Sequence, residues 1–171
     1  MRRVVTGEDG QGRSVVVHDG EPPHSVFLES TGFGEHAVWH LELPLAASAG
    51  GGDPVGEVFQ FPPPPGSATF MRAVVPPRGT PVDAEAIIPE ARQKMPGLLE
   101  VSDDSRGPGM HWTDTVDMLV IVSGEVDLVL DAETVRLRAG DCVVQRGTWH
   151  AWENQGDEPC VIAGLMVAPD G

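Results

Sequence analysis

The sequence is poor in lysine and in long apolar runs, and each shortage excludes a class of protein. Lys94 is the only lysine beside ten arginines, and the formal net charge is −15. That charge repels phosphate backbones and anionic membranes, so we predict that the protein binds neither nucleic acid nor membrane. No apolar run approaches the roughly 20 residues that cross a bilayer. The N-terminus lacks the apolar segment of a signal peptide, so we expect a cytoplasmic protein.

Cysteine is also scarce, and several catalytic motifs are missing. Cys142 and Cys160 each lie in an apolar run typical of a strand, where two buried, reduced thiols are expected rather than a disulfide. The chain contains no Gly-x-Ser-x-Gly elbow, no phosphate-binding loop and no dinucleotide fingerprint. The sequence therefore gives no support to a serine hydrolase or a nucleotide-binding enzyme.

What the chain does contain is the pattern of an all-β protein. Its 171 residues fit one domain, and its 21 glycines and 16 prolines favour turns and short strands. From Met110 onward, apolar runs recur every eight to twelve residues, which is typical of a β-sandwich or barrel. We predict a single domain over residues 1–171. Residues 1–100 supply N-terminal strands and one helix, packed on a barrel formed by residues 101–171.

Three local predictions can be compared with a structure. Residues 1–12 are polar and rich in glycine, which predicts an arm with little structure of its own. A helix is expected from Asp83, its N-cap, to just before Pro96, with a kink at Pro89. The run from Met118 to Val122 is apolar at every position, so both faces of that strand should be covered.

The candidate site consists of the stretch from His111 to Asp117 together with His150. On one straight strand, His111 and Asp117 would lie about 20 Å apart, so they could share an ion only if the chain reverses near Asp114. Two histidines and one carboxylate are the ligand set of open iron, manganese or zinc sites. The alternative is that both histidines are ordinary hydrogen-bonded residues of the barrel.

Three further residues are candidates for a substrate pocket. Thr113 shares a face with His111, and Trp152 shares a face with His150, where it could stack on a substrate. Arg146, in the turn before His150, could hold a substrate carboxylate. Trp152 could equally be core, and Arg146 could be an ordinary surface residue.

The spacing of these residues resembles the two motifs of the cupin superfamily. The first motif is matched by His111, Thr113, Asp117 and Gly124. The second motif is matched by Gly140, Gly147, His150 and Asn154. The resemblance covers roughly residues 105 to 167. It departs from the motifs at three positions. Thr113 stands where a second histidine is usual, Asp117 replaces a glutamate, and Gln145 replaces a proline.

The resemblance implies a cupin-type double-stranded β-helix, or jelly-roll, barrel that works on a small molecule. It implies that His111, Asp117 and His150 hold a divalent metal ion (Fe, Mn, Ni or Zn), with Asp117 and His150 as catalytic residues; a metal-free site is the alternative. The first functional hypothesis is a metal-dependent dehydratase, isomerase or decarboxylase acting on a hydroxylated or carbonyl-bearing organic acid. The alternatives are a non-catalytic, vestigial cupin that binds a small molecule without metal, a non-haem iron dioxygenase, and metal-free acid–base catalysis. A homodimer is also expected, since exposed edge strands would otherwise invite aggregation.

Overall fold

The protein is built from antiparallel sheets, and its structure is given by a computed structural model. The structure describes residues 3–8, 14–42, 55, 59–132 and 134–170. The eleven strands are β1 (Arg3–Glu8), β2 (Ser14–Gly20), β3 (His24–Leu28), β4 (Phe33–Glu42), β5 (Ser67–Val75), β6 (Val116–Ser123), β7 (Glu125–Leu130), β8 (Thr134–Arg138), β9 (Cys142–Arg146), β10 (His150–Glu153) and β11 (Cys160–Ala168).

The strands form a large sheet, a smaller sheet and a separate hairpin. Six strands form the large sheet in the order β3-β4-β5-β11-β6-β9, and three form the smaller sheet in the order β10-β7-β8. Strands β1 and β2 pair only with each other. This all-β arrangement agrees with the predicted jelly-roll barrel.

The inner faces of the two larger sheets enclose the main core. Leu119 and Ile121 of β6 and Ile162 of β11 pack there against Val126 and Leu128 of β7. From Val116 to Val122 of β6, buried and exposed side chains alternate, as expected for a strand with one face inward. A residue's place in this alternation therefore decides whether it faces the barrel interior.

The outer face of β6 is open within the described part of the single chain. The sequence predicts that both faces of the run from Met118 to Val122 are covered, either by an N-terminal layer or by a second subunit. In the described part of the single chain, however, Met118 is 47% exposed and Val122 is 54% exposed. The apolar outer face is therefore open unless another surface covers it. The same alternation corrects the prediction for Cys142, which lies outward on β9 and is exposed, whereas Cys160 is buried; both thiols are free.

The N-terminal half contains more regular structure than the sequence predicts. Residues 3–8 form β1 rather than an unstructured arm, since they pair antiparallel with β2, with a register shift between Val5 and Thr6. The Ala/Gly/Ser-rich segment from Leu45 to Pro54, for which the sequence predicts a loop, lies outside the described residues. Phe61 precedes a cis proline and belongs to no strand.

The helical segment is divided in two. Helix α1 (Ile87–Lys94) has Ala86 as its N-cap, three residues later than the predicted Asp83, and α2 (Pro96–Val101) follows it. The Asp83 carboxylate accepts hydrogen bonds from the backbone of the following turn, so Asp83 caps that turn rather than the helix. Pro89 lies in the first turn of α1, where a missing N–H is tolerated. No helix of the described residues is long and apolar enough to cross a membrane.

The helices pack at the β3 edge of the large sheet. Met95, at the end of α1, is 1% exposed and belongs to a second apolar cluster with Val26 and Leu28 of β3. The Glu90 carboxylate accepts hydrogen bonds from the backbone N–H groups of Glu29 and Ser30. These contacts fix the N-terminal strands against the helices.

Two residues of the second half serve the fold rather than any chemistry. Asn154, which matches the end of the second motif, donates from Nδ2 to the carbonyl oxygens of Val75 and Glu158 at 3.1 and 2.8 Å. Gly124 has a φ of 76°, and a Cβ there would lie 2.9 Å from the Cα of Cys160. Both residues therefore position the turns between barrel strands.

Candidate functional site

Two of the predicted site residues, His111 and His150, lie side by side. Their backbones form an antiparallel bridge, with hydrogen bonds of 2.9 and 3.0 Å in the two directions. Their ring centroids are 4.2 Å apart. The chain bends at residues 114–115, so His111 lies beside β10 while the following residues enter β6. The predicted change of direction near Asp114 therefore exists.

Backbone hydrogen bonds fix the orientation of both imidazoles. His111 Nδ1 lies 3.0 Å from the carbonyl oxygen of Gly109, and His150 Nδ1 lies 2.9 Å from that of Thr148. A carbonyl oxygen only accepts, so each Nδ1 carries the proton and each Nε2 keeps its lone pair. Burial, and then the neighbouring His111, lower the pKa of His150 to about 4, and burial lowers the pKa of His111. Both rings are therefore neutral acceptors near pH 7.

Asp117 lies on the inner face of β6 in the large sheet. Its cross-strand partners are Gln145 of β9 and Met166 of β11, and its side chain is 4% exposed. Within the described part of the chain, the Oδ1 atom of Asp117 is the one buried side-chain oxygen or nitrogen without a hydrogen-bond partner. Burial raises the pKa of Asp117 to about 6, although a hydrogen bond from Thr115 opposes the change.

A second buried carboxyl group, Glu35, was missed in the sequence. It lies on β4 opposite Ala73 and is 2% exposed. Burial, and then the nearby Asp117 carboxylate, raise the pKa of Glu35 to about 8. The alternation of Phe33, Glu35 and Ala37 places a charged residue among inward apolar positions. That signal could have revealed Glu35, but the sequence pattern by itself predicts a strand only from His36 to Leu43.

The remaining predicted pocket residues are not all near the histidines. The Trp152 ring contacts His150 edge-on at 5.9 Å between centroids and packs against the core, so it shares the interior face as predicted. Thr113 is buried, and its hydroxyl lies 2.8 Å from that of Thr115. Arg146 is exposed on β9. Gln145, in the position of the motif proline, donates from Nε2 to the Thr148 hydroxyl and so supports the turn before His150.

The residues that would hold a metal ion have suitable chemistry but do not converge. Two free Nε2 atoms and the unpartnered Asp117 Oδ1 are donors that a divalent ion accepts. In the described ranges, however, no three His, Cys, Asp or Glu side chains lie close enough together to hold an ion. The structure joins His111 to His150 directly, whereas Asp117 lies on β6. A three-residue site that includes Asp117 stays a prediction.

Chemically, the site is a set of bases in an apolar barrel. Two neutral imidazoles on one side and two carboxyl groups on the large sheet can accept protons or hydrogen bonds. Phe61 contacts the His111 ring at 6.2 Å between centroids and adds an aromatic wall. Such an arrangement suits proton transfer to or from a small molecule.

Comparison with known proteins places the second half of the chain in a family. Residues 98–168 match the sequence model of the Cupin_2 family, described as "Cupin domain". The chain is 51% identical over 47 residues to phomopsin biosynthesis cluster protein C' of Diaporthe leptostromiformis, which covers 27% of this chain and 25% of that protein. It is 46% identical over 48 residues to oryzines biosynthesis cluster protein J of Aspergillus oryzae, with coverages of 28% and 27%. The matches thus span about a quarter of each relative.

Two solved structures are similar at low sequence identity. The cupin domain of Schizosaccharomyces pombe Cnp3 aligns with a TM-score of 0.47 at 10% identity, covering 98% of this chain and 87% of that chain. The polyketide cyclase RemF of Streptomyces resistomycificus aligns with a TM-score of 0.45 at 11% identity, covering 84% and 72%. Residues 98–168, which match the family model and contain the two motifs, therefore form a cupin domain.

Proposed function

We propose that this protein is an enzyme that moves a proton on a small organic molecule bound inside the barrel. Asp117 is the proton-transfer group, and the substrate carries a hydroxyl or carbonyl group. Removal of a proton next to a carbonyl begins both dehydration of a hydroxylated compound and isomerisation of a carbonyl compound. The reaction is therefore of the dehydratase or isomerase type.

The observation that carries this proposal is the unpartnered oxygen of Asp117. A buried carboxylate with an unsatisfied oxygen costs the fold free energy, because nothing replaces the water it has lost. Such groups persist in native proteins mainly where they have a task. The raised pKa of Asp117, about 6, lies close to neutral pH, where an acid–base group works best.

The two histidines supply binding and orientation in this proposal. Each Nε2 accepts a hydrogen bond, so a substrate hydroxyl can donate to His111 or His150. The Nδ1 contacts to Gly109 and Thr148 hold the rings still, which lowers the entropy lost when the substrate binds. Asp117 then returns the proton that it took up, either to the departing hydroxyl, which leaves as water, or to another carbon of the isomerised compound.

The names of the relatives support a biosynthetic substrate. The matched proteins of Diaporthe leptostromiformis and Aspergillus oryzae are named for phomopsin and oryzine biosynthesis clusters. We propose by analogy that this protein acts on an intermediate of a biosynthetic pathway. The analogy is confined to the matched quarter of each relative.

Substrate conversion by the purified protein tests the proposal. A panel of hydroxylated and carbonyl-bearing compounds would be incubated with the wild type, and products would be followed by mass spectrometry. Asp117→Asn should lower the rate about 100-fold or more, as expected for loss of an acid–base group. Asp114→Asn is the matched control, because Asp114 is exposed three residues away and should have no effect. Conversion that Asp117→Asn leaves intact would contradict the proposal.

A chelator distinguishes proton transfer by the side chains from chemistry at a metal ion. The activity should survive treatment with a chelator followed by gel filtration. If activity is lost and returns with Fe, Mn, Ni or Zn, the predicted metal site of His111, Asp117 and His150 would be favoured instead. In that case the ion would polarise the substrate oxygen.

A second candidate function is binding without catalysis, and one contact favours it. The Thr113 hydroxyl is already hydrogen-bonded to Thr115, so the position of the missing motif histidine offers no free base. A binding protein would hold compounds of the panel with measurable affinity and convert none of them. Its affinity would be unaffected by Asp117→Asn unless the ligand contacts that residue.

We also propose that the protein is a homodimer through the outer face of β6 and β9. Met118, Val122 and Val144 are 47%, 54% and 63% exposed there, and β9 ends the large sheet. An apolar face beside a sheet edge is a surface that a second copy can cover. Sedimentation velocity should therefore show a dimer.

A further inference from the structure

A row of mostly polar side chains crosses the inner face of the large sheet at the level of Asp117. Its members pair directly from strand to strand and are Gln145 (β9), Asp117 (β6), Met166 (β11), Thr69 (β5) and His40 (β4). Residues directly opposite each other on antiparallel strands point to the same face. All five side chains therefore face the barrel interior, and only Met166 among them is apolar.

The row lies where a polar end of the barrel meets the apolar core. Two positions further along the strands, the inward residues are Leu119 of β6 and Met71 of β5, and both belong to the main core. In the other direction, Thr115 is polar and buried. The backbone N–H of Gly147 donates to the Thr115 carbonyl oxygen at 3.0 Å, which ties the turn before His150 to the same end.

The β4 end of the row is a hydrogen-bonded pair. His40 Nδ1 lies 3.2 Å from Thr69 Oγ1, and Thr69 is 7% exposed. When the threonine hydroxyl donates to Nδ1, the ring carries its proton on Nε2 and can donate from there to a ligand. This pair then supplies an N–H donor, whereas the Asp117 carboxylate and the Nε2 atoms of His111 and His150 accept. The two ends of the row are therefore chemically complementary.

The spacing of the strands sets the length of a ligand that contacts both ends. Neighbouring strands lie about 4.8 Å apart, so Thr69 lies about 10 Å and His40 about 14 Å from Asp117, measured along the sheet. Met166 lies between the two ends and is 4% exposed. A small acid cannot span this distance, whereas a flat molecule of two or three rings can, with its apolar middle over Met166.

We propose that the substrate lies along this row and that the His40–Thr69 pair binds a carbonyl oxygen remote from the group that reacts at Asp117. This inference rests on the proposed function, whose substrate class it narrows to elongated, largely apolar molecules with a polar group at each end. His40 and Thr69 are then specificity-determining residues, because they contact a part of the substrate that does not react. Binding of that part holds the reacting carbon beside Asp117.

Binding of two-ended probes tests the inference without knowledge of the substrate. Para-acetyl-para′-hydroxybiphenyl carries a ketone and a phenol at opposite ends of two rings. Its para-ethyl analogue has the same shape without the ketone oxygen. Both would be titrated into the full-length protein, with ligand-observed NMR as the readout. The ketone should bind about five- to tenfold more tightly than the ethyl analogue, as expected for one well-placed hydrogen bond.

Variants assign this preference to the pair. Thr69→Val and His40→Leu should each remove most of it, whereas His40→Gln, which keeps an N–H donor, should retain part of it. Thr134→Val, exposed on β8, is the matched control and should leave the preference unchanged. The ratio of the two affinities is the readout because loosening of the fold weakens both probes alike. Thermal unfolding checks that each variant is folded.

Two results would overturn the inference. One is equal binding of the ketone and the ethyl analogue by the wild type, and the other is a preference that folded Thr69→Val and His40→Leu variants retain. The proposed function fails separately. Conversion that Asp117→Asn leaves intact would contradict proton transfer by that residue, whereas the preference for the ketone needs no turnover and would stand. Conversion of compounds without a second polar group, at equal kcat/KM in the wild type and His40→Leu, would leave the enzyme and remove this binding site.

Discussion

Glutamine in place of Glu35 should stabilise the protein at neutral and alkaline pH and leave it unchanged in mild acid. Glutamine has nearly the same shape and carries no charge at any pH. The substitution therefore removes the free-energy cost of burying an ionisable carboxyl group, while it keeps the packing of β4. This effect isolates the electrostatics of the barrel interior from its function.

The size and sign of the effect follow from the pKa of Glu35. Burial raises the pKa of Glu35 to about 8 in the folded protein, from 4.5 for an exposed glutamate. Between these values the folded state holds the proton that the unfolded chain has lost, so stability falls as the pH rises from 4.5 to 8. Each pH unit in that interval is worth about 1.4 kcal/mol, which gives a loss on the order of 3 kcal/mol at pH 7.

Urea unfolding of the wild type, Glu35→Gln and the Glu100→Gln control at pH 5, 7 and 8 measures this effect. The variant should be close to the wild type at pH 5 and more stable by about 1–3 kcal/mol at pH 7, with a larger difference at pH 8. A difference that is constant with pH, or a variant less stable than the wild type at pH 8, would refute the account of Glu35 as a buried carboxyl group beside Asp117.

Three further predictions concern other parts of the molecule. The pKa of His150 is lowered from 6.5 to about 4, so the free energy of unfolding should decrease as the pH falls through this interval. His150→Gln should remove up to about 3 kcal/mol of that decrease in urea unfolding. A variant that loses as much stability in acid as the wild type would contradict this prediction. Val120→Lys on the outer face of β6 should give monomers in sedimentation velocity without unfolding the chain, whereas Val135→Lys, equally exposed on β8, should keep the dimer. Gly164→Ala should destabilise the protein by about 2 kcal/mol or more in thermal or urea unfolding, because its Cβ would lie 2.0 Å from the carbonyl oxygen of Met118; a wild-type stability would show that β6 and β11 are more loosely paired.

The barrel could be predicted from the sequence because its signals are local. Turn glycines such as Gly124 and Gly140 adopt positive φ angles, and the apolar runs between them became strands close to their predicted limits. The pairing of His111 with His150 followed from motif spacing. These features depend on residues that lie near each other in the chain or at family-specific distances.

The features that the sequence did not reveal depend on tertiary contacts. Glu35 comes from the N-terminal half and reaches the interior only because β4 pairs with β5, which in turn pairs with β11. Asp117 and the histidines are close in sequence, yet the bend at residues 114–115 sends them to different sheets. Exposure of Met118 and Cys142 depends on which strand face meets the core. An apolar run alone does not determine that.

Deuterium exchange is the measurement that tests most directly whether Asp117 transfers protons. A compound that the protein converts would be incubated in D2O with the wild type, Asp117→Asn and the Asp114→Asn control, and incorporation of deuterium next to its carbonyl group would be followed by NMR. Exchange is expected with the wild type and with the control, in the presence or absence of chelator. With Asp117→Asn, the rate of exchange should fall about 100-fold or more. Exchange at the wild-type rate with a folded Asp117→Asn variant would contradict this expectation.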